Sequence, residues 1–384
     1  MSIKNKLTRN IFYCYLPMIV IFVVIRILSG YGYLTFLGTT GTYLVNAGIQ
    51  ILLMFSIPIF LFSRLQKTKL KQTFSFYNFK KISWKAIIIA ILIGVIVYIL
   101  NVYIATIFST FLELVGFRTS RGGGSAVAGY PLWLLFINLF VTAVLPAICE
   151  ETAHRGMLLK GLSPVGRIWA IILSSLLFSL LHLNVEQVFY TFTMGLFLGY
   201  IASVTDNIYP AMIVHFMNNA ISVVMGYSSA HHLGYDFLFT FITENINANP
   251  ILGIAFLIFF IATLIIVLRY LIKLLFRETA LKNINTLQRE LFKEIAKDSY
   301  LKELNDAYNG IESAERKEVV MDFDDFHKLY QSKSVDLGQS SDLDKKLMLD
   351  PRPYKMDVVT KVLLIASVLI TFAVTFLTFL WGIL

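Results

Sequence analysis

The chain has 384 residues, of which 57% are apolar and 15% charged, against about 25% charged residues in an ordinary soluble domain. With a mean hydropathy of +0.70, a soluble globular protein and the disordered and collagen-like classes are excluded. The formal charge of +9 is uneven: residues 278–356 hold 16 of the 24 acidic and 13 of the 33 basic residues, so the excess of positive charge lies elsewhere.

That excess sits at the ends of apolar runs, a signal of membrane topology. It neither clusters on one soluble face nor interleaves with aromatics, so nucleic acid is not an expected partner. In chain order, Lys4, Lys6 and Arg9 precede an apolar run from Ile11 to Ser29. The run is too long for a signal peptide and lacks a clear small-x-small cleavage site, so it reads as an uncleaved first span. Further apolar stretches follow at 44–63, 86–111, 132–159, 168–184, 188–204, 209–227, 250–275 and 358–383. The expected fold is therefore all-α: a polytopic membrane bundle of about nine helices, each near 20 residues.

The loop 64–85 carries Arg64, Lys67, Lys69, Lys71, Lys80, Lys81 and Lys85 with no acid. The positive-inside rule places it and the N-terminus in the cytoplasm. Lys160, Arg167, Arg269, Lys273 and Arg277 then fall on the same side. Loops 30–43, 112–131 and 228–249 fall outside, the second with a flexible Gly122-Gly123-Gly124 turn. Anionic lipids should favour the basic loop.

Segment 276–357 is the one soluble piece. Leu281, Ile284, Leu287, Leu291 and Ile295 recur at helical spacing, Gly310 is a plausible stop, and an acidic stretch with Asp322, Asp324 and Asp325 follows. It reads as a solvated tether to the last span, with a docking surface for a signalling partner as the alternative. Cys14 and Cys149 lie inside apolar runs and build neither a disulfide framework nor a cysteine zinc site.

Ionisable groups inside a span cost about 2.5–3.5 kcal/mol each at its centre and are usually functional. The fourth span holds Glu150, Glu151, His154 and Arg155. Helical rise puts Glu150 about 15 Å from Lys160, near mid-membrane. Glu150 shares a face with His154, and Glu151 with Arg155. If Glu151 and Arg155 neutralise each other, Glu150 is the unpaired carboxylate facing the other spans. The fifth span holds His182, with Phe178 on its face, and the seventh holds His215 and Asn219. Asn218 lies a residue off that face and reads as packing. A carboxylate, two imidazoles and an amide suit hydrolysis by an activated water, a metal that acidifies water, or proton-coupled transport.

The three clusters read Glu150-Glu151-Thr152-Ala153-His154-Arg155, Phe178-Ser179-Leu180-Leu181-His182 and His215-Phe216-Met217-Asn218-Asn219. In order, spacing and placement this resembles the CAAX protease and bacteriocin-processing family of intramembrane proteases, whose pattern is E-E-x-x-x-R, F-x-x-x-H, H-x-x-x-N. The resemblance covers about residues 130–225. One departure is His154, where the family often has a bulky apolar or aromatic residue; it could tune Glu150 or add a ligand.

The resemblance implies a protease core over 131–227. It is preceded by N-terminal helices and the basic loop (1–130) and followed by an outer loop and eighth span (228–275), the segment 276–357 and a last span (358–384). It implies an endopeptidase acting on membrane-embedded protein or peptide substrates. Glu150 is then the base, and His182 holds the water or protonates the leaving amine. His215 and Asn219 donate to the oxyanion, and Glu151 and Arg155 fix the helix. A zinc ion on His182, His215 and Glu150 is the competing version. Relatives in bacteriocin self-immunity and signalling keep a catalytically silent adaptor open as the rival from another class. The absence of organellar signals and the Lys/Ile/Phe-rich composition fit a bacterial plasma membrane.

Overall fold

The computed structural model describes residues 2–119, 131–234, 237–281 and 354–383. Among them every regular element is helical. The expected helix beginning at Leu281, most of segment 276–357 and the Gly122–Gly124 turn lie outside the described residues.

Helix α1 spans Ile3–Gly30, with the Ser2 hydroxyl accepting from Asn5 N as its N-cap. Helix α2 spans Thr40–Gln66 and stops where Lys67 turns left-handed at φ 56°. A short α3 (Leu70–Phe76) follows, then α4 (Trp84–Leu114), capped by Ser83. Helix α5 is Leu132–Val165. Helices α6 (Arg167–Leu180) and α7 (Val185–Thr205) form a hairpin whose second arm is capped by Asn184. After them come α8 (Tyr209–His231), α9 (Phe237–Ala248), α10 (Pro250–Thr279) and α11 (Val358–Ile383).

Helices therefore form over all nine apolar stretches, and seven are long and apolar enough to cross a membrane. Two fall outside that set for physical reasons. Helix α6 has 14 residues, about 21 Å of rise. Helix α8 carries His215, Asn218 and Asn219, which dilute its apolar run. The protein is an all-α, multi-pass membrane protein. Its periphery is apolar, with Ile266, Phe259 and Val362 exposed as lipid-facing residues are.

Buried residues at helical spacing fix the long helices against their neighbours. In α1 these are Leu7, Ile11, Tyr15 and Met18. Helix α6 packs on α7, α4 on α8, and α1 on α11. At one end the basic loop is tied to the α7–α8 turn. Asp206 pairs with Lys80 and accepts from Asn78 Nδ2 at 2.6 Å, and Lys160 Nζ stands 3.9 Å away. Asn207 Nδ2 donates to Lys80 O at 3.1 Å, and Ile208 N to Asn78 O at 3.1 Å. This basic end gives the bundle a reference for depth.

Candidate active site

Helix α5 is not a uniform α-helix where it carries the acidic cluster. Pro146 has no N–H to give the carbonyl four residues back. On either side of Leu145–Glu151 the helix widens into π turns, over Leu139–Val144 and Thr152–Leu159. Such turns recur at functional sites because they re-aim side chains. Helix α2 has its own π turn at Ile49–Ser56, packed against the Leu145–Glu151 segment.

Glu151 is fully buried, and its Oε1 accepts from Arg155 Nη1 at 2.8 Å and from His215 Nδ1 at 2.8 Å. Arg155 Nη2 donates to Gly195 O at 3.1 Å, and the guanidinium lies 4.4 Å over the Phe178 ring. Gly195 is required there: a Cβ would stand 2.9 Å from Ser175 Cβ and 3.1 Å from Ser175 Cα. The glycine lets α7 close on α6 and present its carbonyl to the arginine.

Glu150 faces the cavity with 14% of its side chain exposed. Its Oε1 accepts from Gln50 Nε2 at 2.7 Å, and its Oε2 stands 4.0 Å from His215 Nε2. His182 lies in the turn after α6, not inside a span as expected from its apolar surroundings. The chain reverses there through Leu183, at φ 50°. Its Nδ1 donates to Phe178 O at 3.1 Å, which leaves Nε2 as the lone-pair nitrogen of the neutral ring.

Phe178 organises the imidazoles. Its ring meets those of His154, His182 and His215 edge-on at centroid distances of 5.1, 5.2 and 5.9 Å. His154 itself is a satisfied core histidine. Nδ1 donates to Glu150 O at 2.8 Å, and Nε2 accepts from the Tyr15 hydroxyl at 3.0 Å. With both nitrogens committed, it has no lone pair to offer a metal.

Asn219 Nδ2 donates to Thr142 O at 3.1 Å, the carbonyl that Pro146 cannot reach. Its Oδ1 accepts from Asn218 Nδ2 at 3.0 Å, and Asn218 Oδ1 accepts from Asn101 Nδ2 at 3.2 Å. Asn218 is therefore a link in a polar chain across α4, α8 and α5, which corrects its reading as packing. One N–H of the Asn219 amide stays available.

Glu150, His182, His215 and Asn219 line one cavity of about 660 Å³, a size suited to a small-molecule ligand or a short peptide segment. Glu151 and Arg155 lie behind it as a buried brace. Two expectations change in detail. Glu150 is not without a partner, because Gln50 holds it, and the histidine on α8 bonds directly to Glu151. Sequence reasoning missed Gln50, Arg26 and Asn101, all of which line the cavity. The available signal was a polar residue inside an otherwise apolar span.

Among the described residues no group of three His, Cys, Asp or Glu side chains is arranged to hold a metal ion. His182 and His215 each commit Nδ1 to an oxygen, which leaves both Nε2 atoms, and one Glu150 oxygen is taken by Gln50. Cys14 and Cys149 are buried free thiols.

Residues 131–221 match the family model described as type II CAAX prenyl endopeptidase, Rce1-like. The matched segment runs from the start of α5 into α8 and contains Glu150, Glu151, Arg155, His182, His215 and Asn219. It is the family that the three motifs resemble. No curated protein and no solved structure matches the chain. Tyr15, Arg26, Gln50 and Asn101 all lie outside the matched segment.

Proposed function

We propose that the chain is an intramembrane endopeptidase that hydrolyses peptide bonds of membrane-associated proteins or peptides with a water activated by Glu150. The observation that carries this is the convergence of Glu150, His182, His215 and Asn219 on one cavity from three separate elements. Nothing in bundle packing requires that convergence.

The chain's own groups suffice for each proton movement. Glu150 takes a proton from the attacking water as its oxygen bonds to the carbonyl carbon. His182 Nε2 accepts a hydrogen bond from the water's second O–H, which stays on the oxygen, and so aims it. The carbonyl π electrons move onto oxygen, and the free Asn219 N–H donates to that oxyanion. With Nδ1 held by Glu151, His215 donates from Nε2 when the ring carries its second proton. Collapse of the intermediate breaks the C–N bond, and the proton held by Glu150 passes to the leaving amine.

By the positive-inside rule the lysine-rich loop supports a cytoplasmic basic end, with the N-terminus on the same side. A bacterial plasma membrane fits the composition. The decisive experiment is membrane proteomics on wild type and a Glu150→Gln strain, looking for new peptide ends. A substrate that accumulates uncut in the variant supports proteolysis; a full deletion phenotype that Glu150→Gln rescues favours the silent adaptor. Exhaustive metal removal should leave cleavage unchanged, and activity that dies with chelation and returns with zinc would reinstate a metal.

A further inference from the structure

Arg26 is the one cation in the apolar run Ile11–Ser29 of α1, outside the matched segment, and it lines the cavity. Its guanidinium lies 5.7 Å over the Phe22 ring, which also lines the cavity and steers the side chain toward it. It stands within electrostatic reach of Glu150 and His182. Among the described residues it forms no ion pair.

Depth along the helices shows where the cavity opens. Thr8 of α1 donates to Gly161 O at the basic end, and Arg26 stands about 27 Å further along. Thr142 of α5 is about 27 Å from Lys160, and Glu150 about 15 Å. Arg26, Thr142 and Ser222 are exposed, whereas Met54, His154 and Phe178 are buried. The cavity is thus floored toward the basic end and opens at the opposite one, with Arg26 at its mouth. Anything reaching Glu150 by that route passes the guanidinium.

We infer that Arg26 is a specificity-determining residue that holds a carboxylate of the peptide substrate at the mouth while the scissile bond lies at Glu150. This rests on the endopeptidase reading of the same cavity. A guanidinium pairs with a carboxylate through two parallel hydrogen bonds, and its planar fork favours that geometry over a single point contact. The carboxylate is either the chain's C-terminus or an acidic side chain beside the cut. Substrates would arrive from the side opposite the lysine-rich loop.

The test uses the full-length protein in nanodiscs and a library of quenched-fluorescence octapeptides. One series has free or amidated C-termini, and an amidated series carries one Glu or Gln. Wild type should favour the carboxylate-bearing member of a series by roughly 10- to 100-fold in kcat/KM, the size of a charge-assisted contact. Arg26→Gln should bring that ratio near one, and Arg26→Lys should keep part of it. Preference confined to the first series identifies the C-terminus, and to the second an acidic side chain. Binding of the same peptides to Glu150→Gln, with and without Arg26→Gln, reads recognition apart from chemistry. If wild type cleaves and Arg26→Gln leaves the ratio unchanged, the role of Arg26 fails alone. If nothing is cleaved yet acid peptides bind in an Arg26-dependent way, the protease reading fails and the anion site stands. If neither cleavage nor selective binding occurs, both fall.

Discussion

The carboxylate of Glu151 and the imidazole of His215 are joined by a 2.8 Å hydrogen bond, from Nδ1 to the same oxygen that takes Arg155 Nη1. One buried anion thus sets both the tautomer of a cavity-lining histidine and the position of a buried guanidinium. A bonded Nδ1–H leaves Nε2 pointing at the reaction centre, a neighbour's control over a histidine's working nitrogen.

Removing one partner of a buried ion pair strands the other, at a cost of about 3–5 kcal/mol. Glu151→Gln should therefore destabilise the bundle markedly, because Arg155 is only 1% exposed at its side chain. Arg155→Met should do the same. The double variant should lose less than the sum of the two, because no uncompensated charge remains. Thermal unfolding in micelles reads all three. A Glu151→Gln protein that melts like wild type yet cleaves nothing would show that Glu151 serves the chemistry and not the fold.

Gln50 donates to Glu150 Oε1 at 2.7 Å from a helix outside the matched segment. It acts as a positioning residue, holding one carboxylate oxygen so that the other faces His215 and the incoming water. Gln50→Leu removes that restraint without touching the packing of Glu151. We expect kcat to fall about tenfold, the value of one hydrogen bond to a charged group, with KM and melting temperature near wild type. Gln50→Glu should be worse, since two carboxylates would then share the site. An unchanged kcat in Gln50→Leu would mean that Glu150 is oriented by other means.

Much of the fold and of the site is legible in the sequence, and the division has physical causes. Periodicity and hydropathy marked every long helix because lipid imposes long apolar runs. Glu150, Glu151, His182 and His215 stand out because a charge or imidazole in such a run is costly, and Asn219 because it shares a helix face with His215. His182 in a turn was not legible, since Leu180, Leu181 and Leu183 continue the apolar pattern through the reversal. Gln50 and Asn101 are neutral amides in spans, a weaker anomaly than a carboxylate. The Glu151–His215 bond crosses 64 residues of chain, and no local spacing encodes it.

His154 departs from the family pattern, and its bonds to Tyr15 and to the Glu150 carbonyl show it to be structural. His154→Phe restores the bulk while leaving the Tyr15 hydroxyl without its acceptor, so stability should drop by about 1–3 kcal/mol. Tyr15→Phe added to it should recover part of that loss. Cleavage by the double variant should stay within a few-fold of wild type. A collapse of rate in a well-folded double variant would make His154 part of the chemistry. Phe178→Leu is the contrasting case. It removes the ring against which three imidazoles and Arg155 pack, so rate should fall along with stability.

Gly94 tests whether site geometry depends on how closely α4 approaches α8. A Cβ at Gly94 would stand 2.5 Å from Met217 Cβ and 2.9 Å from Met217 Cγ, with Val214 Cα at 3.5 Å. Met217 lies between His215 and Asn219 on α8, and the contact is with the root of its side chain. Rotation alone cannot relieve it, so α8 must shift. Overpacking of this kind costs about 1–3 kcal/mol. A displacement near 1 Å at His215 and Asn219 is enough to lose about 10²-fold in rate. Gly94→Ala should therefore lower the melting temperature modestly and cleavage steeply, while Gly94→Ala with Met217→Ala should restore both in part. Failure of the second substitution to recover any activity would show that the loss does not pass through α8.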